Sequence, residues 1–263
     1  MELNGKTALI TGASSGMGVG IAKAFANAKV SVILLARRKD LLDKVADKIK
    51  SSGGKAFVYS VDLTDAQAVE EITNKIKTEV GIPDIIINNA GAGQWKFVDE
   101  TSAEEAVQMM AVPYFAAFYI TKAFLPDMLK RNSGHIVNMS SVASRFVWPG
   151  ATAYTAARWA IRGFTEALRA DLDNTNINVT LYESGVVDSA YWENNPNSRE
   201  RVPKMAQLVP ILTTEQVGAA IVNAVRKHKK LVVIPLMMKI TYWQHAVVPW
   251  AVQWLMTKTG YKR

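Results

Sequence analysis

The chain of 263 residues has no cysteine and three histidines. Without thiols there is no disulfide framework, no thiolate nucleophile and no cysteine-rich zinc site, and a reducing compartment is the expected home. His135, His228 and His245 are scattered, with no carboxylate cluster beside them, so no metal site is expected. Internal repeats, low-complexity tracts and Pro/Gly-rich linkers are missing too, which leaves no domain boundary to place. With 49% hydrophobic residues, a chain of this length buries a sizeable core as one domain over 1–263. The first strand is expected from near Lys6, which leaves no room for a signal peptide before it and points to the cytoplasm. Basic and aromatic residues do not interleave, so the net charge of +8 is read as a solvated surface, a basic pocket or an attraction to acidic lipid, and not as a nucleic-acid surface.

Apolar runs alternate with amphipathic stretches at the rhythm of βαβ units. Strands are predicted near 6–11, 30–36, 55–61, 84–89, 134–140, 177–182 and 231–235, with helices between most of them. Right-handed crossovers then place helices on both faces of a parallel sheet, an α/β, Rossmann-type doubly wound fold of about seven strands. The irregular stretch at about 185–213 is expected to form a lid, and about 236–263 an apolar extension.

Between the apolar run Ala8-Leu9-Ile10 and the first helical stretch lies Thr11-Gly12-Ala13-Ser14-Ser15-Gly16-Met17-Gly18. Glycines at these positions let the backbone turn tightly and approach a pyrophosphate, while the helix behind offers free N–H groups and the positive end of its dipole. Gly12, Ser14, Ser15, Gly16, Met17 and Gly18 are therefore candidate cofactor-binding residues. Gly12-Ala13-Ser14-Ser15-Gly16 also fits the G-x-S-x-G elbow of serine hydrolases, but no histidine has a neighbourhood suited to a base and no oxyanion-type glycine cluster is present. At the end of the second strand, where an acid would accept hydrogen bonds from a ribose 2′-hydroxyl, stand Arg37-Arg38. A guanidinium fork suits a 2′-phosphate, so NADP(H) is expected over NAD(H), the competing reading being a solvated basic pair at a helix start.

With Asp62-Leu63, Asn88-Asn89-Ala90-Gly91, Ser140-Ser141 and Tyr154 following in order, the chain from about Lys6 to Pro235 resembles the short-chain dehydrogenase/reductase family. The ordered set is far more specific than any one tripeptide. The resemblance implies adenine contact for Asp62 and Leu63, although Asp62 alone would also read as a cap for the helix expected from Ala66. It implies a turn beside the cofactor for Asn89, Ala90 and Gly91. It further implies hydride transfer between nicotinamide and a carbon bearing oxygen. Tyr154 would be the acid/base, and Ser141, with Ser140 as fallback, would bond the substrate oxygen. Apart from the resemblance these are an ordinary helix-face tyrosine and a strand-end serine pair.

Three positions depart from the family pattern. Tyr154-Thr155-Ala156-Ala157-Arg158 carries arginine where the motif has lysine. At i and i+4 the two side chains share a helix face, so the cation still supports a phenolate and is a candidate for the nicotinamide ribose. It cannot supply a proton. Alignment on Thr121 and Leu125-Pro126 puts Pro113 where the family has an asparagine of its water relay, and a kink is expected because Pro113 has no N–H for Met109. Glu183-Ser184-Gly185 replaces the usual Pro-Gly after the sixth strand, while Val187 and Ser189 keep the loop pattern.

Two other classes stay open. Ser141, Tyr154 and Arg158 match the triad of the cofactor-free halohydrin dehalogenases, whose glycine turn is replaced by a halide pocket, whereas Gly12, Gly16 and Gly18 stand here. A cofactor-binding protein with little catalysis is the other. Trp95, Phe97, Phe146, Trp148, Tyr191 and Trp192 are expected to border the nicotinamide, giving an apolar pocket for a ketone, aldehyde or secondary alcohol. In the tail, Ile240 to Thr257 carries no formal charge, but Gln244, His245, Pro249 and Gln253 argue against a spanning helix. A peripheral helix with Trp243, Trp250 and Trp254 at a membrane, or burial against a sister subunit or over the pocket, are the alternatives. The resemblance implies a homodimer or homotetramer built on the long helices near 103–131 and 153–173.

Overall fold

Mostly apolar runs form the strands of the computed structural model, which describes residues 1–262. The strands are β1 (Thr7–Thr11), β2 (Ser31–Ala36), β3 (Ala56–Ser60), β4 (Ile85–Asn88), β5 (Gly134–Met139), β6 (Ile177–Ser184) and β7 (Leu231–Ile234). All pair in parallel, in the order β3-β2-β1-β4-β5-β6-β7. Ile85, Ile86 and Ile87 are fully buried, as a strand covered on both faces requires. The order reverses between β1 and β4, which opens a crevice at the carboxyl ends of these strands.

The helices are α1 (Gly16–Asn27), α2 (Lys39–Ser51), α3 (Ala66–Glu79), α4 (Ala103–Met110), α5 (Ala116–Arg131), α6 (Thr152–Asp171), α7 (Tyr191–Asn194), α8 (Thr214–Arg226), α9 (Leu236–Val247) and α10 (Pro249–Thr259). On one face α1, α2 and α8 set Ile21, Phe25, Leu42 and Ile221 against Ile10 and Leu34. On the other, α3, α5 and α6 set Ile76, Phe124 and Leu168 against Leu9 and Ile33. The helix α3 is capped by Asp65, whose side chain accepts from the N–H groups of Gln67 and Ala68, so Asp62 is not its cap.

Two long elements are interrupted where proline withholds an N–H. The stretch expected as one helix over 103–131 is α4, a π-helical turn over Ala111–Phe115, and α5. Pro113 cannot bond back one turn, the ladder widens, and the Ala116 N–H donates to Ala111. The apolar tail is a pair, α9 and α10, because Pro249 starts a new helix after Val248 leaves helical geometry. The 185–213 segment consists of α7 and short 3₁₀ turns, tied at its base by a bridge between Val187 and Leu212.

Candidate active site

The crevice begins at the turn between β1 and α1. Gly12 and Gly16 have φ of +65° and +55°, the left-handed region that disfavours a side chain. A Cβ on Gly18 would lie 2.2 Å from the Gly12 carbonyl oxygen, and one on Gly12 would lie 2.9 Å from the Ala90 Cα. Contacts therefore require glycine at 12 and 18, and the backbone conformation favours it at 16. Gly18 packs behind it, while Gly12, Ser14, Ser15, Gly16 and Met17 face a groove of about 450 Å³. The N-terminus of α1 carries no side-chain cap and no acid in its first turn, so its free N–H groups suit a phosphate. This cradle fits a dinucleotide.

Asn89 fixes the opposite wall. Its Nδ2 donates to the Thr11 carbonyl at 2.9 Å, and the Thr11 hydroxyl accepts from the N–H groups of Asn89 and Ala90. The amide of Asn89 thus locks two loops together, and the groove is lined by Asn89, Ala90 and Gly91. Farther along lie Arg37, Arg38, Asp62 and Leu63. The Asp62 carboxylate accepts from the Thr64 N–H and hydroxyl, and the Thr64 N–H, the Thr64 hydroxyl and nearby Arg37 hold its pKa below the usual range despite partial desolvation. Arg38, whose place beside the glycine turn was not foreseen, donates to the Ser15 hydroxyl at 3.3 Å.

A second, apolar cavity of about 240 Å³ joins the groove at Met17, Asn89, Gly91, Ser189 and Tyr191. Tyr154 and Arg158 reach this junction from one face of α6, and the Arg158 guanidinium carbon lies 4.8 Å from the Tyr154 ring centroid. The guanidinium is buried, and among the described residues it has one bond, to the Met139 carbonyl at 3.4 Å, and an unpartnered Nε. No carboxylate pairs with it among the described residues. Gly91 makes room for it, since a Cβ there would stand 3.0 Å from its Nη2.

The two serines differ in their partners. The Ser140 hydroxyl donates to the Arg158 carbonyl at 3.2 Å. The Ser141 hydroxyl accepts from the Ala143 N–H at 3.2 Å and has no acceptor among the described residues for its own proton. Ser141 is therefore the hydroxyl free to donate into the cavity.

Five of the six predicted aromatics line that cavity: Trp95, Phe146, Trp148, Tyr191 and Trp192. Phe97 does not, and instead packs with Tyr261 and Arg201. Tyr191 accepts from the Trp95 indole N–H at 3.0 Å and donates to the Gly93 carbonyl at 2.7 Å. Burial, with Tyr154 nearby, pushes its pKa up, so the phenol stays neutral. Asn195 and Ser198 accept from the Gly93 and Trp95 N–H groups, stitching the 185–213 segment across the cavity.

The far wall is formed by Met205 and Val209 of that segment and Met238 and Met256 of the tail, residues the sequence reading did not name although it offered burial of the tail over the pocket as an alternative. Glu183 reads from the sequence only as a departure from the family pattern after the sixth strand. Glu183 is fully buried, accepts from the Ser144 hydroxyl and pairs with Arg145 Nε at 3.2 Å. Arg145 in turn lies 4.5 Å over the Tyr242 ring of α9. One buried carboxylate thus anchors the turn after Ser141 and, through Arg145, the tail. Its only sequence signal was a carboxylate inside an apolar strand run.

A glycine cradle for a dinucleotide, open at one end to an apolar cavity over a tyrosine, defines a nucleotide-dependent oxidoreductase site. The family model described as short chain dehydrogenase matches residues 6–200. A "Dehydrogenase/reductase SDR family protein 7-like" of Anopheles gambiae is 32% identical over 99% of this chain and 85% of that protein. An alcohol dehydrogenase of the archaeon Thermococcus sibiricus, solved with 5-hydroxy-NADP, superposes with a TM-score of 0.76 at 26% identity, over 87% of this chain and 95% of that one. A short chain dehydrogenase/reductase of Burkholderia phymatum, solved with NAD, shares the fold with a TM-score of 0.84 at 23% identity, over 100% of this chain and 99% of that one. The chain belongs to the short-chain dehydrogenase/reductase family of oxidoreductases.

Proposed function

We propose that this protein is an NADP(H)-dependent oxidoreductase acting between a lipophilic ketone or aldehyde and the corresponding alcohol. The observation that carries this reading is the buried Arg158 guanidinium, without a carboxylate among the described residues, laid on Tyr154 where the groove meets the apolar cavity. A bound nicotinamide supplies or accepts the hydride. The chain's own groups handle the proton and the oxygen: Ser141 donates a hydrogen bond to the substrate oxygen, and the Tyr154 hydroxyl gives that oxygen a proton during reduction. Arg158 stabilises the phenolate left behind. Trp95, Trp148 and Tyr191 exclude water, the 185–213 segment acts as the lid, and the whole chain works as one domain.

Preference for NADP(H) is supported by Arg37 and Arg38 at the end of β2, with no acid at that place. Exposed Phe115, Phe118 and Trp159 on and beside α5 and α6 support a homodimer or homotetramer through those helices. A cytoplasmic site of action agrees with the lack of cysteine. The tail meets a membrane peripherally, and among the described residues no helix is long and apolar enough to cross one.

Calorimetric titration with NADPH and NADH, followed by nicotinamide absorbance decay with a panel of apolar ketones, tests the reading. Tighter NADPH binding and turnover are expected. NADPH binding without decay would favour the second reading, a cofactor-binding protein with little turnover, to which the π-helical turn at Pro113 gives support. In that case Pro113→Asn with Arg158→Lys raises activity by orders of magnitude, whereas an adapted enzyme gains little.

A further inference from the structure

The last 48 residues, 216–263, hold eight Lys/Arg and no Asp/Glu, so residues 1–215 carry 23 of each and are neutral. The entire net charge of +8 therefore falls in residues 216–263, and four of these eight cations lie in the tail over 236–263. Arg226–Lys230 precede β7 and stand at the far edge of the sheet, roughly 13 Å along the strand from α9. Lys239 and Lys258 are exposed on α9 and α10 themselves.

The same two helices present apolar side chains to solvent. Leu236, Ile240, Trp243 and Val247 follow one another at helical spacing along α9 and are 70, 54, 69 and 60% exposed, while Met238 and Tyr242 face inward. Trp250 and Trp254 on α10 extend this stripe at 75 and 61% exposed. Met237 on α9, and strongly exposed Leu208 in the 3₁₀ turn Lys204–Leu208 that packs against α10, both line the cavity over Tyr154. The cavity therefore opens onto the apolar stripe.

We infer that this face docks on an anionic lipid surface with the cavity mouth against the lipid, so that apolar substrate passes directly between the two. The route for substrate rests on the oxidoreductase reading; the docking does not. Exposed tryptophans with one apolar and one polar edge suit the headgroup boundary, and lysines beside them suit anionic headgroups. A second copy of the chain fits the face less well. A two-fold contact would bring two such cationic, carboxylate-free tails together.

The absence of cysteine makes a single label unambiguous. An environment-sensitive fluorophore is placed on Leu208→Cys at the mouth or on Lys55→Cys at the opposite edge of the sheet, and each full chain is mixed with phosphatidylcholine vesicles with or without phosphatidylglycerol. The Leu208→Cys probe is expected to shift to the blue only with phosphatidylglycerol, and the Lys55→Cys probe to stay unchanged. Lys239→Glu with Lys258→Glu should weaken that response by roughly tenfold or more at low salt, at about fivefold per lysine. NADPH titration of each variant shows that it is folded. No shift with anionic vesicles, or a Leu208→Cys shift that needs only high protein concentration, would overturn the docking, the latter in favour of a second copy. Docking without reduction of any ketone removes the substrate route and the oxidoreductase reading alone.

Discussion

Replacing Arg158 by methionine should separate stability from turnover. With the guanidinium carbon 4.8 Å from the Tyr154 ring, a phenolate there gains about 3 kcal/mol at an effective dielectric near 20. Loss of that interaction corresponds to on the order of a hundredfold in kcat/KM. The resting protein points the other way. Arg158 is 7% exposed, and among the described residues its Nε is unpartnered and no carboxylate neutralises it. Methionine has comparable reach and no charge to desolvate, so Arg158→Met should stabilise the cofactor-free protein by about 1 kcal/mol or more, which is roughly 2–4 °C in Tm for each kcal/mol. The assays are calorimetric unfolding without cofactor, and NADPH absorbance decay with the most active ketone of the panel. A lower Tm, or a kcat/KM within threefold of the parent, would refute the idea that a buried charge is retained here for its effect on Tyr154.

Three further outcomes are expected. Gly18→Ala forces its Cβ onto the Gly12 carbonyl; opening that turn at about 3 kcal/mol weakens NADPH on the order of a hundredfold by calorimetry. Arg37→Asp should reverse the ratio of NADPH to NADH affinities, and an unchanged ratio would discard the 2′-phosphate role. His135 sets an acid limit. The Thr180 hydroxyl donates to the Lys229 carbonyl at 2.5 Å, so His135 Nε2 must donate to Thr180, at 2.8 Å, and Nδ1 is left buried without a partner among the described residues. Burial, followed by His228 beside it, pulls the His135 pKa down to about 3 from 6.5. Being depressed, that pKa contributes stability fully present above pH 6.5 and lost as pH falls toward 3, at about 1.4 kcal/mol per pH unit. Unfolding midpoints from pH 7 to 4 should fall less steeply for His135→Asn than for the parent.

Much of this fold was legible because its signals are local. Strands buried on both faces must read as unbroken apolar runs, so Ile85 to Ile87 and their counterparts declared a parallel sheet without a partner in view. The turn from Gly12 to Gly18 was legible because glycine reports backbone conformation, and the Tyr154–Arg158 pair because four residues on a helix return to one face. The proline interruptions at Pro113 and Pro249 follow from a missing donor, although whether the ladder bends or widens depends on what packs around it.

What stayed hidden depends on contacts between residues far apart in the chain. Nothing near Phe97 says that it turns toward Tyr261 while Trp95 enters the cavity, and nothing near Asn195 or Ser198 says that they hold Gly93 and Trp95. Glu183 reads as a loop variant until Ser144, Arg145 and, through Arg145, Tyr242 converge on it. The sequence by itself therefore determined the layers, the glycine turn after β1 and the Tyr154–Arg158 pair, since each is written in spacing along a few residues. Only the tertiary structure decided what lines the apolar cavity and which face of the tail meets solvent, because burial is a property of neighbours that the chain brings together from a hundred residues away.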